Sequence, residues 1–422
     1  MSNNPTVMEF DPFNPGPREQ RPAVFAELRE RGPVILTDAE LWVVPRFEDV
    51  KAVLARPDLF SSRPNPYSAT SVPAESVDDP DVIDRLLKIA SELPVDLDEL
   101  TNTRAIAGAD PPQHTRMRRI VSRGFTPPRI AEMSSAIDAI VERCLNGIAE
   151  SQSFDVVESL AIPLPVEMIC HILGIDRSYY GQVKEWSDAF AAAGTGDIQG
   201  SLEGQLLMLN TVKEFSTFFV PLVDARRVDP MTDLISTMVR AIDNEALSTV
   251  ETMTMAITIM VAGNETSTNL IGNAIVELLA NPDQLALLLA DPSLLPNAVE
   301  EANRFTAPIQ FSFREVREDT EVAGVDIPKG AIVVPHMASA NRDPSYFDVP
   351  DSFRIERPLG KNLSFGHGIH FCLGAHLAGQ EVRTAVGALL PYLERLKLDD
   401  RPLKPNPSSL LNGWQKVELI PA

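Results

Sequence analysis

Apolar residues recur every three to four positions through most of the chain, which is the period of an amphipathic helix. Segments 20–31 and 47–55 show this period. Between them, residues 33–47 alternate apolar and polar side chains, a pattern that predicts a two-stranded hairpin. Helical periodicity dominates again over residues 112–281, where AAAGTGDIQG at 191–200 is the only flexible break that we identify.

The longest predicted helix covers residues 249–279 and would be roughly 45 Å long at the usual rise per residue. Ser248 and Glu251 have the spacing of a capping box, in which each side chain bonds the free backbone amide of the other residue. Residues 311–335 and 408–421 are predicted to contain short strands, and a final helix is predicted to begin near Cys372.

The pattern therefore predicts a mainly α fold with a minor β region, organised as a single domain over residues 1–422. Within it, residues 1–19 are predicted to be irregular. Residues 62–108 form a Pro- and Asp-rich stretch with one short amphipathic helix at 80–93. A loop this long in a compact protein is usually functional.

Composition narrows the possible functions. The chain carries a net charge of −22, which argues against a general binder of nucleic acid or anionic membranes. The first residues lack the basic and apolar regions of a signal peptide, and no apolar run approaches the length of a membrane span. The three cysteines are odd in number and far apart, so we expect a reducing cytoplasm and no disulfide framework.

The strongest motif is Phe-Gly-His-Gly-Ile-His-Phe-Cys-Leu-Gly at residues 365–374. Its first two glycines permit a tight turn that brings backbone amides close to Cys372. A cysteine at the start of a helix meets unpaired N–H groups and the positive end of the helix dipole, which favour a thiolate. Cys144 and Cys170 lie in amphipathic segments without such a setting, and we interpret both as core residues.

A second motif, Ala-Gly-Asn-Glu-Thr at residues 262–266, lies in the long helix. At the helical period, Ile259, Ala262, Gly263 and Thr266 fall within an arc of about 100° that is apolar except for one hydroxyl. Gly263 is expected to leave room for a ligand on this face. Glu265 and Thr266 together could move protons by general acid–base chemistry.

Both motifs, in this order, resemble those of the cytochrome P-450 superfamily. The resemblance implies a fold with a long central helix over a haem b group. It identifies Cys372 as the proximal iron ligand, with Phe365, His370 and Gly374 against the cofactor. On the same basis Ala262 and Gly263 border the haem, and Glu265 and Thr266 form the acid–alcohol pair that delivers protons for dioxygen activation.

Further residues match the family's pattern. Glu301 and Arg304 resemble its structural Glu-x-x-Arg ion pair, and Arg357 resembles the arginine that completes this network. His114 with Arg118, and separately Arg314, resemble the groups that bind the haem propionates. An isolated Glu–Arg pair on a helix would ordinarily be a solvated pair of little energetic value.

No nucleotide-binding fingerprint is present, because residues 366–374 lack a preceding strand and a βαβ context. Electrons are therefore expected from a separate ferredoxin or flavodoxin with its reductase. On the helix predicted over residues 112–124, Arg116, Arg119 and Arg123 share a face opposite His114 and Arg118. This face is the predicted docking site for an acidic ferredoxin.

The predicted reaction is hydroxylation of a small apolar molecule of the terpenoid, steroid, fatty-acyl or polyketide type by a monomeric enzyme. Residues 62–108 and 176–226 are predicted to form the roof and lid of the substrate site. A peroxide-driven haem-thiolate enzyme and a non-catalytic haem-binding sensor are the alternatives. The predicted substrate pocket contains Ile259, Ala262, Ile309, Phe311 and Leu411.

Overall fold

The computed structural model describes residues 4–63, 80–148, 153–195, 201–240, 246–360, 362–408 and 410–422. These residues form two compact units. The first takes its residues from Met1–Pro64, Ile130–Pro165 and Glu265–Ala422, and the second from Asn65–Arg129 and Val166–Asn264. Residues 64–79 of the predicted roof and residues 196–200 of the predicted flexible break lie outside the described part of the chain.

Helices make up most of the described chain, which confirms the predicted fold class. They are α1 (Arg21–Arg31), α2 (Phe47–Ala55), α3 (Pro80–Ser91), α4 (Leu97–Asn102), α5 (Gln113–Val121), α6 (Pro127–Glu132), α7 (Ser134–Cys144), α8 (Pro163–Leu173), α9 (Tyr180–Thr195), α10 (Leu202–Val228), α11 (Leu234–Val239), α12 (Thr249–Ala280), α13 (Pro282–Ala290), α14 (Leu295–Thr306), α15 (Met337–Ala340) and α16 (Ala375–Leu393).

The start of α12 shows the predicted capping box. The Glu251 amide donates to Oγ of Ser248 over 3.0 Å, and the Ser248 amide donates to Oε2 of Glu251 over 3.0 Å. Two backbone donors that the first helical turn leaves unpaired are thereby satisfied.

The strands of the described chain all belong to the first unit. They are β1 (Thr6–Met8), β2 (Ile35–Thr37), β3 (Leu41–Val44), β4 (Phe60–Ser61), β5 (Phe154–Asp155), β6 (Arg314–Val316), β7 (Thr320–Val322), β8 (Val325–Ile327), β9 (Ile332–Pro335), β10 (Leu396–Leu398) and β11 (Glu418–Pro421). A six-stranded sheet has the order β1-β2-β3-β9-β6-β4. Strands β10-β11-β5 and β7-β8 form two smaller sheets.

The predicted hairpin is β2–β3, which pairs antiparallel with Ile35 opposite Val43. Helix α2 packs on this sheet region through Phe47, Val50 and Leu54, which lie in the same apolar cluster as Val44 and Val333. This packing fixes the position of the carboxyl end of α2, which contacts the cysteine loop described below.

In the second unit, α9 and α10 pack through aromatic side chains. The ring of Phe215 lies 5.3 Å from Trp186 and 4.9 Å from Phe219, and both phenylalanines are fully buried. Helix α10 is the one helix of the described residues that is long and apolar enough to cross a membrane. One face of α10 is buried and aromatic, whereas Lys213 and Asp224 form ion pairs on the outside, so the helix is amphipathic and packs by one face.

Several predicted boundaries were wrong. Thr6–Met8 pairs parallel with β2 inside the segment predicted to be irregular, because its backbone groups complete the sheet edge. The stretch 62–108 contains α4 as well as the predicted helix, since Asp96 caps it by accepting from the Glu99 amide over 2.7 Å. Between α10 and α12, the described residues 229–233 and 246–248 are a further break in the helical region, and the short helix α11 lies between them.

Candidate functional site

The loop of residues 363–374 closes on itself through backbone hydrogen bonds. The Cys372 amide donates to the Phe365 carbonyl over 2.8 Å, and the Gly366 amide donates to the Leu363 carbonyl over 2.8 Å. Gly366 and Gly368 both have φ of +72°, a conformation that other residues adopt only with strain. The two glycines therefore permit the turn that the sequence predicted, and the turn presents Cys372 at its end.

The first unit holds this loop against helix α2. A Cβ atom at Gly368 would lie 2.4 Å from the backbone carbonyl oxygen of Leu54, so only glycine allows this approach. On the other side, Nε2 of His370 and Oγ of Ser62 share a hydrogen bond of 3.0 Å. The loop is thus held at Gly368 by a close backbone contact and at His370 by a side-chain hydrogen bond.

Cys372 is partly exposed and lies three residues before α16, with Gly374 as the N-cap residue of that helix. The helix begins slightly later than predicted, but its first-turn amides still follow the cysteine closely. A Cβ atom at Gly374 would meet nothing within 4 Å, so this side of the loop is open. Cys170, by contrast, is fully buried, and burial raises the pKa of its thiol to about 12.

Helix α12 carries Glu265 and Thr266 into the first unit, where both are partly buried. The next residue, Ser267, donates a hydrogen bond of 3.0 Å to Oε2 of Glu381 on α16. Burial raises the pKa of Glu381 to about 8, and the bond from Ser267 opposes this shift. Sequence reasoning missed Glu381, although a lone carboxylate among apolar helix positions such as Leu377 and Val382 was a usable signal.

In the second unit, Ala262 is exposed although it lies mid-helix, whereas Ile259 is 9% exposed. A Cβ atom at Gly263 would lie 3.2 Å from Cδ1 of Ile169 on α8. In the Cβ direction the space beside Gly263 is therefore filled by Ile169, and the glycine permits close packing of α8 and α12. The expected room for a ligand on the other sides of Gly263 stays a prediction.

His114 is buried on α5, one turn before the partly buried Arg118. Burial lowers the pKa of His114, and the positive charge of Arg118 lowers it further. Arg116 forms an ion pair with Glu251 and donates to the Ala246 carbonyl over 3.2 Å. Arg116 is therefore engaged with Glu251, whereas Arg119 and Arg123 are exposed, and the docking face itself stays a prediction.

Arg314 lies on β6 and is 8% exposed. Its Nη1 donates to the Phe313 carbonyl over 2.6 Å and lies 3.5 Å from Oγ of Ser312. A guanidinium group retained at this depth needs polar or anionic neighbours, because burying a charge costs several kcal/mol unless it is compensated.

Glu301 and Arg304 form a bidentate ion pair with N–O distances of 2.7 and 2.8 Å, and their side chains are 1% and 3% exposed. Arg357 donates to the same carboxylate over 2.9 Å, and so does the backbone amide of Arg354 over 2.8 Å. The pair is therefore part of a buried network that connects α14 to residues 354–357. It is not a solvated pair on the surface of a helix.

The predicted pocket residues fall into two groups. Ile309 and Leu411 pair as an isolated antiparallel bridge, which joins the segment after α14 to the C-terminal loop. Phe311 is 1% exposed and packs edge-on against Phe13 and Phe313, with ring centroids 5.8 and 5.5 Å away. The assignment of Phe311 to a substrate pocket was wrong, because these aromatic neighbours enclose it in the core.

Comparison with known proteins identifies the protein family of this chain. A family model described as Cytochrome P450 matches residues 288–420. The 6-deoxyerythronolide B hydroxylase of Saccharopolyspora erythraea is 35% identical over 89% of this chain and 89% of that protein. Vitamin D(3) 25-hydroxylase of Pseudonocardia autotrophica is 33% identical over 89% of this chain and 86% of its own length. The structure of CYP109E1 from Bacillus megaterium in complex with corticosterone matches with a TM-score of 0.80 and 29% identity, covering 97% and 99% of the two chains.

The chain belongs to the cytochrome P450 family. It is a P450 monooxygenase, and its cofactor is protoporphyrin IX haem iron.

The residues of the structure fit a bound haem group. Cys372 offers a sulfur donor beside the open side of Gly374, and His370 and Arg314 of the same unit offer nitrogen donors for carboxylates. In the second unit, His114 and Arg118 lie one turn apart on α5. Among the described residues, no three His, Cys, Asp or Glu side chains are grouped to hold a metal ion. A single thiolate donor would suit haem, because the porphyrin brings its own nitrogen donors to the iron.

Proposed function

We propose that this P450 monooxygenase hydroxylates a small hydrophobic molecule of the terpenoid, steroid, fatty-acyl or polyketide type. The observation that carries the proposal is the closed loop around Cys372, with its two left-handed glycines and its cysteine just before a helix. Haem bound through a thiolate supplies the oxygen-activating chemistry, since thiolate ligation favours O–O cleavage.

In this proposal Cys372 is the iron ligand. The hydrogen bond between its amide and the Phe365 carbonyl keeps the loop closed, and the first-turn amides of α16 favour the thiolate. His370, Arg314, His114 and Arg118 hold the two propionates as charged or polar hydrogen-bond donors.

Glu265 and Thr266 deliver protons in this proposal. These two residues are consecutive in the chain and both are partly buried, so bulk water has limited access to the carboxylate and the hydroxyl. The carboxylate of Glu265 takes protons from solvent, and the hydroxyl of Thr266 passes them on as a general acid.

The substrate class is supported by the relatives. Their names specify 6-deoxyerythronolide B and vitamin D(3) as molecules that they hydroxylate, and a solved neighbour holds corticosterone. Each is a largely hydrophobic carbon skeleton. Ile309 and Leu411 in the first unit, and Ile259 and Ala262 in the second, are proposed to contact such a substrate.

The electrons come from a separate ferredoxin or flavodoxin with its reductase, and the enzyme acts as a cytoplasmic monomer. The net charge of −22 makes the two exposed arginines of the α5 region, Arg119 and Arg123, a local positive patch for an acidic partner. A peroxide-driven enzyme is less well supported, because Glu265 and Thr266 are both present to supply protons. The same pair argues against a non-catalytic sensor.

The test is spectroscopic and catalytic. The reduced protein under carbon monoxide should give the strongly red-shifted Soret band of a thiolate–haem adduct. Cys372→His should lose this band, whereas Cys144→Ser should keep it as a matched control on a partly buried cysteine. A red-shifted band that survives in Cys372→His would contradict the ligand assignment.

Turnover separates the alternatives. With a surrogate ferredoxin, its reductase and a substrate chosen by a spectral-shift screen, the monooxygenase should consume oxygen and form a hydroxylated product. Product formed only with added peroxide would favour the peroxide-driven enzyme. Reduction without any oxygen consumption would favour the sensor.

A further inference from the structure

A cavity of about 370 Å³ lies in the first unit between the start of α1, the last turns of α12 and the C-terminal loop. Its wall residues include three arginines, the three carboxylates of Glu19, Glu277 and Asp351, and aromatic rings. Those that matter most are Arg18, Arg21, Phe25, Gln310, Arg342 and Trp414. None of these residues belongs to the haem-binding set described above.

Arg18 and Arg21 make no salt bridge with any residue in the part of the chain that the structure describes. The guanidinium of Arg18 donates to Oδ1 of Asn273 over 3.0 Å and to the Gly413 carbonyl over 3.3 Å, and it lies 4.0 Å above the ring of Trp414. Nε of Arg21 donates to the Gly16 carbonyl over 3.2 Å. The hydrogen-bond partners of both arginines are therefore neutral, and Glu277 and Glu19 attract Arg18 and Arg21 without forming a salt bridge.

The cost of this arrangement is visible at Arg18, because burial lowers the pKa of its guanidinium to about 10. Arg342 differs, since it pairs with Asp351 over 2.7 Å. Glu277 also lines the cavity and attracts Arg18, while burial raises the pKa of this carboxyl group. An incoming anion would therefore relieve an existing electrostatic cost.

Two further donors at the cavity wall have no hydrogen-bond partner within the described chain. They are Nε2 of Gln310, a residue that is 2% exposed, and Nε1 of Trp414. Unpaired buried donors are uncommon and often mark a place where another molecule binds. Together with the arginines, they make the cavity rich in donors, while Phe25 and Trp414 supply apolar surface.

The cavity adjoins the segments that carry two proposed substrate contacts. Gln310 follows Ile309, and Asn412 of the cavity wall follows Leu411. The two segments are joined by the Ile309–Leu411 bridge, and the Asn412 amide donates to the Pro308 carbonyl over 2.8 Å. A molecule in the cavity would contact both segments and restrict their movement.

We propose that this cavity binds a small organic carboxylate with an aromatic body. The carboxylate accepts hydrogen bonds from Arg21, Arg18 and the indole of Trp414, and the ring lies against Phe25. By fixing residues 308–310 and 411–414, the bound acid strengthens substrate binding at Ile309 and Leu411. This last effect rests on the proposed function, whereas the binding itself does not.

Isothermal titration calorimetry of the haem-loaded protein with phenylacetate tests the binding, with imidazole present to occupy the haem iron. We expect binding at a Kd of about 1 mM or lower. Arg21→Gln should weaken it about tenfold or more, because a charged hydrogen bond is lost. Trp414→Phe, which keeps a ring and removes the N–H, should weaken it roughly fivefold.

Arg31→Gln is the matched control, since it removes the same charge from the same helix at an exposed pair with Glu27. Its Kd should equal that of the unaltered protein. The proposal is overturned if phenylacetate releases no heat, if imidazole abolishes the binding, or if Arg31→Gln weakens it as much as Arg21→Gln. Binding without any effect on substrate-induced spectral shifts would leave the site standing and overturn only its coupling to the substrate.

Discussion

Oγ of Ser267 donates to Oε2 of Glu381 over 3.0 Å, and this is a hydrogen bond between α12 and α16 in the interior of the first unit. Glu381 is 3% exposed, and burial raises its pKa to about 8. At neutral pH the carboxyl group is therefore largely protonated. It can then be buried beside Ser267 without an uncompensated charge.

This relationship predicts a pH-dependent stability. Because the folded pKa lies above the ordinary value of 4.5, the folded state holds more protons than the unfolded state between about pH 5 and pH 8. Glu381 should therefore lower the free energy of unfolding by about 1.4 kcal/mol for each unit of rising pH in that window. Glu381→Gln, measured by urea unfolding of the haem-loaded protein, should remove this slope and be the more stable form near pH 8.

Glu394→Gln at the exposed end of α16 is the control for that series and should retain the slope. Identical slopes in the unaltered protein and in Glu381→Gln would show that Glu381 is ionised in the fold at neutral pH.

The buried ion-pair network should contribute more to the free energy of unfolding than an exposed ion pair nearby. Arg304→Ala leaves Glu301 charged and buried with Arg357 as its remaining cation, so we expect a loss of about 3–5 kcal/mol and poor haem retention. Arg354→Ala removes only an exposed pair with Asp348, worth at most about 1 kcal/mol, since the bond to Glu301 comes from the Arg354 backbone. The unfolding midpoint and the haem content are measured for both variants. Equal losses of stability in the two variants would show that the buried pair with Glu301 contributes no more than the exposed pair.

The cysteine loop allows a comparison of two glycines with the same φ of +72°. Gly366→Ala adds strain of roughly 1–2 kcal/mol, and its Cβ would lie 3.9 Å from the nearest atom. Gly368→Ala adds the same strain and a clash with the Leu54 carbonyl at 2.4 Å. We expect Gly368→Ala to lose the red-shifted carbon monoxide band while Gly366→Ala retains more of it. The reverse order would show that the contact with α2 does not hold the loop.

Proton delivery predicts a change in coupling. Thr266→Ala should still consume reductant but divert oxygen to peroxide, whereas Thr266→Ser, which keeps the hydroxyl, should restore coupling. Glu265→Gln should slow turnover more than it weakens substrate binding, because the carboxylate moves protons and does not hold substrate. The measurement is the ratio of product formed to reductant consumed. An unchanged ratio in Thr266→Ala would show that other residues deliver the protons.

Docking of an acidic electron donor predicts that reversing the charge of Arg119 and Arg123 to Glu slows reduction, most strongly at low salt. Substrate-induced spectral shifts should stay unchanged. Arg116→Gln should act mainly on stability, because this residue is engaged with Glu251. Stopped-flow reduction rates that change with neither salt nor the two substitutions would exclude this surface as the docking site of the electron donor.

Much of the site could be predicted from the sequence because its chemistry is encoded over short distances. The loop around Cys372 depends on glycines within a few residues of it, and the capping box of Ser248 and Glu251 spans a single helical turn. The hairpin of β2 and β3 follows from local alternation. In each case the interacting groups are neighbours along the chain, so the order of residues nearly fixes their geometry.

What only the tertiary structure decided concerns residues far apart in sequence. Ser267 and Glu381 are 114 positions apart, and Arg116 and Glu251 are 135 apart. Whether Arg116 meets solvent or a carboxylate, and whether the space beside Gly263 is open or filled by Ile169, depends on how helices pack against each other. Helical periodicity reports which face of a helix is apolar, but the partner that covers this face is set by the packing of the whole unit.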